Sequence, residues 1–155
     1  MCGCIYFLTR KYAKCRFSLN LFLIPYIYSP VARGFLAGQH HDKPPTDWRA
    51  DVPYFSEKNL KENATLVQQV ETLAAAKGVT LAQLSLAWVI NQGSDVFPIP
   101  GTTNLKHLED NVNASNIMLT TDEADKIACA AAKIKGERGN ENYMKMTYNA
   151  FEQRQ

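Results

Sequence analysis

The chain has 155 residues, of which 46% are hydrophobic and 21% are charged. This composition is typical of a globular chain and excludes disorder over the whole length, and the length suits one domain or part of a larger one. The formal net charge of +2 is too small to indicate a nucleic-acid partner.

Residues 1–27 form an atypical basic segment. The chain carries five basic residues and no acidic one before Asp42. The apolar run near residues 19–28 is far shorter than the ~20 residues that span a bilayer, so we expect no membrane segment. Three origins are open for residues 1–27: a targeting segment, a native structural segment, or a segment that replaced the true upstream sequence. We favour the third.

The cysteines and histidines indicate neither a disulfide framework nor a metal site. Cys2, Cys4 and Cys15 are clustered, and Cys129 lies far from them on an alanine-rich segment, where we expect an inert buried thiol. In the run His40–Asp42 the adjacent side chains point in different directions, which does not suit metal binding. We therefore expect reduced thiols in a cytoplasmic protein and no bound metal.

In chain order, a buried strand is predicted over Leu21–Tyr28, followed by a long polar loop over residues 39–56. A helix with one apolar stripe follows over Asn59–Lys77, with Gly78 as its left-handed cap. A capping box at Thr80 opens a second helix, which ends near Gly93.

The second half repeats the order of strand and helices. Residues 95–100 predict a short strand, and Leu105, Leu108 and Val112 mark an amphipathic helix. Thr120 caps a last helix. Residues 136–155 are expected to form a polar tail, in which residues 137–139 are exposed to solvent. Alternating strands and helices predict parallel βα units, and two strands alone cannot form such a sheet, so the chain resembles a slice of a larger α/β fold.

Two segments carry candidate chemistry, each at the end of a predicted strand. At Gly101, Thr102 and Thr103 a strand turns into a helix start, which favours an anion; the alternative is a capped helix with no ligand. At Tyr28 an aromatic ring ends a strand, and Ser29 and Arg33 offer donors to phosphate; the alternative is a core tyrosine and a solvated arginine. In a β/α barrel, phosphate sites form from the loops after the last two strands.

Four ordered motifs resemble the C-terminal part of an aldo-keto reductase. They are residues 28–35, with Tyr28-Ser29-Pro30 and Arg33-Gly34-Phe35; residues 83–89, QLSLAWV; residues 98–103, PIPGTT; and residues 108–111, LEDN. The chain is most similar to the branch with plant auxin-induced and perakine-reductase-like enzymes. The resemblance implies a partial TIM (β/α)8 barrel over residues 28–135, with only its C-terminal βα units, and an NADP(H)-dependent reduction of aldehydes or ketones.

The resemblance also implies a role for each site residue. Tyr28 stacks on the nicotinamide, and the pyrophosphate is covered by Ser29, Pro30, Val31, Arg33 and Gly34. The adenosine 2′-phosphate meets Gly101, Thr102 and Thr103, with His107 and Asn111 toward the adenine. The resemblance also implies that Trp48 and Tyr54 fold the polar loop over the cofactor or substrate, as the family's loops do. The family usually has Leu-Gly where this chain has Val31-Ala32, and often Arg or Gln where it has His107.

The family's catalytic Asp, Tyr, Lys and His lie on earlier strands, and we assign no catalytic residue here. We therefore expect a truncated oxidoreductase that is inactive by itself. The alternatives are a non-catalytic NADP(H)-binding or interaction module, similar to the channel subunits among the family's relatives, and a non-functional fragment. A partner chain that completes the barrel is a further possibility. In the intact family the ligand is a small-molecule carbonyl compound, and neither nucleic acid nor membrane is expected as a partner.

Overall fold

The computed structural model describes residues 26–152. Residues 1–25 and 153–155 lie outside this description. The basic segment, its three cysteines and the first part of the predicted strand Leu21–Tyr28 therefore fall outside the described residues.

Two short parallel strands lie at the centre of the candidate site. Strand β1 spans Tyr26–Tyr28 and strand β2 spans Phe97–Ile99. They pair in parallel, with Tyr26 opposite Phe97 and Tyr28 opposite Ile99. The parallel arrangement expected from the order of elements is confirmed for the described sheet, which has two strands.

Helices make up most of the rest. Between the strands lie α1 (Glu57–Ala76) and α2 (Leu81–Ile90). After β2 follow α3 (Leu105–Asn113), α4 (Thr121–Lys133) and α5 (Glu141–Glu152). Four short 3-10 segments connect them: Ala32–Ala37, Trp48–Asp51, Pro53–Phe55 and Ala114–Asn116. Helix α5 lies where the sequence predicted a tail.

The helix boundaries follow the local signals. Thr80 and Thr120 each accept a hydrogen bond from the backbone N–H three residues later, and Gln83 and Glu123 bond back to them, so both capping boxes are present. Gly78 ends α1 with a left-handed φ of 68°, as predicted. These signals act over three or four residues, which is why the sequence reveals them.

The core lies where α1 packs against α2 and α4. The α1 stripe is buried at Leu60, Val67 and Val70. Helix α2 is nearly all buried, and its Trp88 also donates from the indole N–H to the carbonyl oxygen of Ala124 at 3.0 Å. Burial of these side chains supplies the main stabilisation, at roughly 25 cal/mol per Å² of apolar surface.

The predicted amphipathic helix α3 is present but its apolar face is open, and the predicted burial of Cys129 is wrong. The apolar face of α3 is exposed, with Leu105 at 70% and Val112 at 63%, because no described element covers it. Cys129 is exposed rather than buried, because on α4 it points away from the side that carries Ile127 and Ala130 into the core.

Among the described residues, no single helix is long and apolar enough to cross a membrane. Helices α1 and α2 together reach that threshold by length and composition alone, with a 92° bend between them.

Glu123 couples the caps of two helices and predicts a pH-dependent stability. Its carboxylate accepts from the Lys77 ammonium at 2.9 and 3.0 Å and from the Thr120 N–H at 2.8 Å. The hydrogen bond from Lys77, followed by that from Thr120, lowers the pKa of Glu123 to about 2. A lowered carboxyl pKa stabilises the fold above the unfolded-state pKa of about 4.5, and this stabilisation disappears as the pH falls toward 2.

We therefore expect Glu123→Gln to lower the free energy of unfolding at pH 7 and to match the unsubstituted chain near pH 2. Urea unfolding between pH 2 and pH 7 measures this difference. Asp125→Asn, an exposed position on the same helix, controls for the loss of one negative charge. A difference that stays constant over this range contradicts the prediction.

Candidate functional site

The two strand-end segments singled out in the sequence lie side by side. Tyr28 and Ile99 are register partners in parallel strands, so Ser29 and Pro100 leave the sheet at the same edge. We call the two segments that begin there the first loop (residues 29–38) and the second loop (residues 100–104). The two loops therefore begin next to each other, as the loops after neighbouring strands of a β/α barrel do.

The first loop turns through a series of left-handed residues. Ser29, Ala32 and Arg33 have φ angles of 50°, 50° and 57°, and Gly34 has 98°. A left-handed conformation costs a residue with a side chain roughly 1–2 kcal/mol, so the surroundings must hold it. Ala32 stands where the family usually has glycine, and it adopts the conformation that glycine favours. Within the loop, the N–H groups of Ala32 and Gly34 donate to the oxygens of Ser29 and Val31 at 3.0 and 3.1 Å.

Hydrogen bonds to its carbonyl oxygens hold the first loop in this shape. The hydroxyl of Tyr54 donates to the Ala32 oxygen at 2.8 Å, and Arg49 Nη1 donates to the Arg33 oxygen at 3.2 Å. His41 Nε2 lies 2.7 Å from the Phe35 oxygen. These three donors come from the long polar segment at residues 39–56, which therefore has a structural use.

Arg49 is itself held by a carboxylate. Its Nε and Nη2 donate to Asp47 at 3.0 and 2.8 Å. This hydrogen bonding, together with the Arg49 backbone N–H, lowers the pKa of Asp47 to about 2. Asp47 therefore stays ionised over the physiological range, and the charge of Arg49 is neutralised locally.

The two aromatic residues expected to fold over a ligand behave differently. Trp48 is 65% exposed, and the guanidinium of Arg33 lies 5.1 Å from its ring centroid. Tyr54 is buried beneath the first loop, so the expectation that it covers a cofactor or substrate is wrong. Its hydroxyl is needed inside, where it satisfies the oxygen of Ala32.

The second loop is open to solvent. Thr102 and Thr103 are exposed, and Asn104 caps α3 by accepting from the Lys106 N–H at 2.9 Å. Thr102 Oγ1 accepts from the Asn104 N–H at 3.1 Å. A methyl group added at Gly101 would meet no atom within 4 Å, so no packing in the described chain requires a glycine there.

The adenine-side candidates lie on one face of α3. His107 and Asn111 are four residues apart, and His107 is exposed. Asn111 lines an open groove together with Pro98 and Pro100 of the second strand end. Gln83 of α2 donates to Asp110 at 3.3 Å, which helps to fix α3 beside this groove.

The C-terminal segment adds two residues that the sequence analysis missed. Arg138 is only 2% exposed, and its guanidinium lies 3.9 Å from the ring centroid of Tyr28. The hydroxyl oxygens of Tyr28 and Tyr143 are hydrogen-bonded at 2.9 Å. The Arg33 guanidinium lies 5.3 Å from the Tyr143 ring. The expectation that residues 137–139 are solvated is therefore wrong for Arg138 and Gly139, which are buried, and confirmed for Glu137, which is exposed.

These four residues form what we call the arginine–tyrosine cluster: Tyr28, Arg33, Arg138 and Tyr143. Two of its members, Tyr28 at the end of β1 and Arg33 in the first loop, were candidates from the sequence, and two come from the segment after α4. In the sequence, the only feature that marks this segment is an arginine between Gly136 and Gly139, followed by Tyr143. This pattern has no periodicity that predicts the burial of Arg138.

Buried Asn63 fixes the approach of the C-terminal segment. Its Nδ2 donates to the Lys135 oxygen at 2.8 Å and to the Tyr54 oxygen at 3.2 Å, and its Oδ1 accepts from the Lys135 N–H at 2.8 Å. Asn63 is fully buried. Helix α1 thereby holds both Tyr54, which supports the first loop, and the chain that leads to Arg138.

Comparison with known proteins adds a family. The sequence profile of the Aldo/keto reductase family matches residues 12–132, a stretch that includes both loops and extends into the basic segment upstream of Tyr28. The NADP(+) aldo-keto reductase yakc of Schizosaccharomyces pombe is 40% identical over 116 residues, which is 72% of this chain and 34% of that protein. The chain therefore spans about a third of the length of this curated relative. Arg138 and Tyr143 lie beyond the residues that the profile matches.

The bonds of Asn63 predict a large effect of its replacement. Asn63→Leu keeps a similar volume but removes the partner of the buried Tyr54 oxygen and of the part-buried N–H and oxygen of Lys135, so we expect the free energy of unfolding to fall by about 2 kcal/mol or more. Urea unfolding measures the change. Asn59→Leu, which loses a single bond to the Pro53 oxygen, serves as the control with a smaller effect. Equal effects of the two substitutions would contradict this role of Asn63.

Proposed function

The chain belongs to the aldo/keto reductase family, and on this ground we propose that it forms the C-terminal βα units of a TIM-type (β/α)8 barrel that transfers hydride between NADP(H) and an aldehyde or ketone carbonyl. One observation carries the proposal. The parallel pairing of β1 and β2 brings the first and second loops to one edge, inside the stretch that the family profile matches. In such barrels the loops after the last two strands bind phosphate.

The residues present fit a dinucleotide. Gly101 leaves space above the second loop that no described side chain fills, and the first loop, which carries Arg33, begins at the same edge of the sheet. Thr102, Thr103 and the start of α3 offer hydroxyl groups and a positive helix end to a phosphate.

We propose the following contacts for NADP(H). Tyr28 lies against the nicotinamide, and residues 29–34 cover the pyrophosphate. The second loop, through Thr102 and Thr103, holds the 2′-phosphate. His107 and Asn111 lie toward the adenine, where the groove beside Asn111 continues from the second strand end. NADP(+) in the name of the yakc relative supports this choice of cofactor.

The work of these residues is binding and orientation. When bound, the nicotinamide supplies or accepts the hydride. Arg33 contributes positive charge and Thr103 a hydroxyl donor, and both act on phosphate groups that do not react. Such contacts hold a reactive ring in place, and this positioning supplies a large part of enzymatic rate enhancement.

We propose that the reacting carbonyl is activated from outside residues 26–152. The resemblance places the family's catalytic Asp, Tyr, Lys and His on earlier strands, and no described residue matches that set. The exposed apolar surface of β2 and α3 favours a partner that completes the barrel, because Phe97, Ile99 and Leu105 are about half exposed or more. A non-catalytic NADP(H)-binding or interaction module is the second candidate, and the same surface supports it.

Two finer placements stay proposals. From the motifs, we propose that the chain belongs to the branch of the family that includes plant auxin-induced and perakine-reductase-like enzymes. The cysteine pattern predicts a cytoplasmic location.

A substitution at Gly101 tests NADPH binding without a large change in folding stability. We expect Gly101→Ala to weaken NADPH binding at least tenfold, because its methyl group occupies the space proposed for the ligand. The free energy of unfolding should stay within about 1 kcal/mol, since that space is empty of protein atoms. Titration of the nicotinamide fluorescence and urea unfolding measure the two quantities.

Gly78→Ala is the matched control. Gly78 has a left-handed φ of 68° and open space around it, far from the proposed site in the sequence, so this variant should lose about 1 kcal/mol of stability and keep its NADPH affinity. Unchanged NADPH affinity in Gly101→Ala, or no binding by the unsubstituted chain, would contradict the proposed function.

The chain alone is expected to lack reductase activity. With NADPH and a simple aldehyde, the absorbance of NADPH should decay no faster than without protein, because no described residue supplies the proton to the carbonyl oxygen. Oxidation at enzyme-like rates would show that the catalytic set lies within these 155 residues.

A further inference from the structure

Arg138 carries a buried positive charge that lacks hydrogen-bond partners. The residue is 2% exposed, and its Nε and Nη2 have no partner among the described residues. A guanidinium stays protonated at any pH at which the protein folds. Several kcal/mol is the usual penalty for removing such an ion from water, and opposite charge and hydrogen bonds normally offset it.

Among the residues that the structure describes, Arg138 forms no ion pair with a carboxylate. The described ion pairs use other cations: Arg49 with Asp47, Lys77 with Glu123, Lys135 with Glu62, and Lys145 with Glu141. The segment before β1 cannot supply one either, because the first acidic side chain of the sequence is Asp42. The tyrosine rings give a partial substitute, because the guanidinium lies 3.9 Å from the ring centroid of Tyr28 and 6.0 Å from that of Tyr143.

A second unneutralised guanidinium belongs to the same cluster. Arg33 lies 5.3 Å from the ring of Tyr143, so one tyrosine is shared by two arginines. Arg49 donates to the backbone oxygen of Arg33, but the charge of Arg49 is already neutralised by Asp47. Two cations around one ring repel each other, and an anion between them removes that repulsion.

We propose that Arg138 is an oxyanion-binding residue, which holds the pyrophosphate of the dinucleotide together with Arg33. The identity of the ligand rests on the proposed function; the need for an oxyanion rests on the burial and unpaired nitrogens of Arg138. A guanidinium offers two parallel N–H donors that match the oxygens of a phosphate. Arg33 lies in the loop proposed to cover that same group.

This proposal gives the C-terminal segment a role in the site. Arg138 precedes α5, whose start is fixed by the Tyr143 N–H donating to Asn140 at 2.9 Å. Since Nε and Nη2 are buried, an oxyanion reaches them only when a covering side chain moves, and Tyr143 of α5, with its ring centroid 6.0 Å from the guanidinium, is the neighbour that we propose to move. Ligand binding and movement at the start of α5 are therefore coupled.

The test uses the full chain labelled with ¹⁵N, and inorganic pyrophosphate at constant ionic strength as the probe. The Nε–H signals of the arginines are followed by NMR, and the signal of Arg138 is assigned by its absence in Arg138→Gln. We expect this signal to shift and saturate with pyrophosphate. Arg138→Gln should weaken the binding of pyrophosphate at least tenfold, and Arg138→Lys, which keeps the charge without the paired donors, should weaken it less.

Lys145→Gln is the matched control, because it removes one positive charge from the exposed side of α5. Its pyrophosphate affinity should stay within about twofold of the original. If Arg138→Gln fails to fold, Arg138→Lys and the shift of the Arg138 signal carry the test. An Arg138 signal that does not move, or equal weakening by Arg138→Gln and Lys145→Gln, would overturn the inference.

The outcomes separate this inference from the proposed function. A saturable shift of Arg138 by pyrophosphate in a chain that does not bind NADPH supports the oxyanion site and contradicts the dinucleotide. NADPH binding that is undiminished in Arg138→Gln overturns the role of Arg138 and leaves the proposed function intact.

Discussion

The parallel pairing of two three-residue strands is the constraint on which the site depends. Strands this short do not pair stably by themselves, so the helices must hold them in register. Helices α1 and α2 form the connection between β1 and β2, and the packing of α1 against α4 closes the core beside them. Two contacts outside the apolar core join the same layers: the Lys77–Glu123 ion pair and the bond from Trp88 to Ala124. The result is a single edge at which both loops begin.

The chemistry of that edge is cationic and aromatic. Arg33 and Arg138 contribute charge, and Tyr28, Tyr143 and Trp48 contribute rings. The carboxylate of Asp47 is paired with Arg49, which in turn holds the backbone of the first loop. A ligand with phosphate groups and flat rings matches this combination. A dinucleotide is such a ligand, and the family to which the chain belongs points to the same class.

Local signals explain what the sequence predicted well. The capping boxes at Thr80 and Thr120 and the left-handed Gly78 depend on neighbours three or four residues away, and the strand-end motifs lie next to the turns that they create. Burial was predicted less well because it depends on distant elements. The periodicity of α3 showed which face is apolar but not that no described element covers it. On alanine-rich α4, the position of Cys129 left its direction undecided.

Arg138 shows the same limit most clearly. A charged residue between glycines in a polar stretch favours solvent by every local rule, and its burial becomes evident only when Asn63 ties Lys135 to α1 and directs the chain toward Tyr28. Helix α5 was missed for a related reason, since its polar composition resembles that of a tail.

The central claim is that the two loops act together on one ligand. Backbone amide signals of the ¹⁵N-labelled chain, followed during addition of NADPH, test it directly. We expect the amide signals of residues 29–34 and of residues 101–104 to shift together and to saturate at the same NADPH concentration. Shifts confined to one loop, or saturation at two different NADPH concentrations, would contradict the binding of one dinucleotide by both loops.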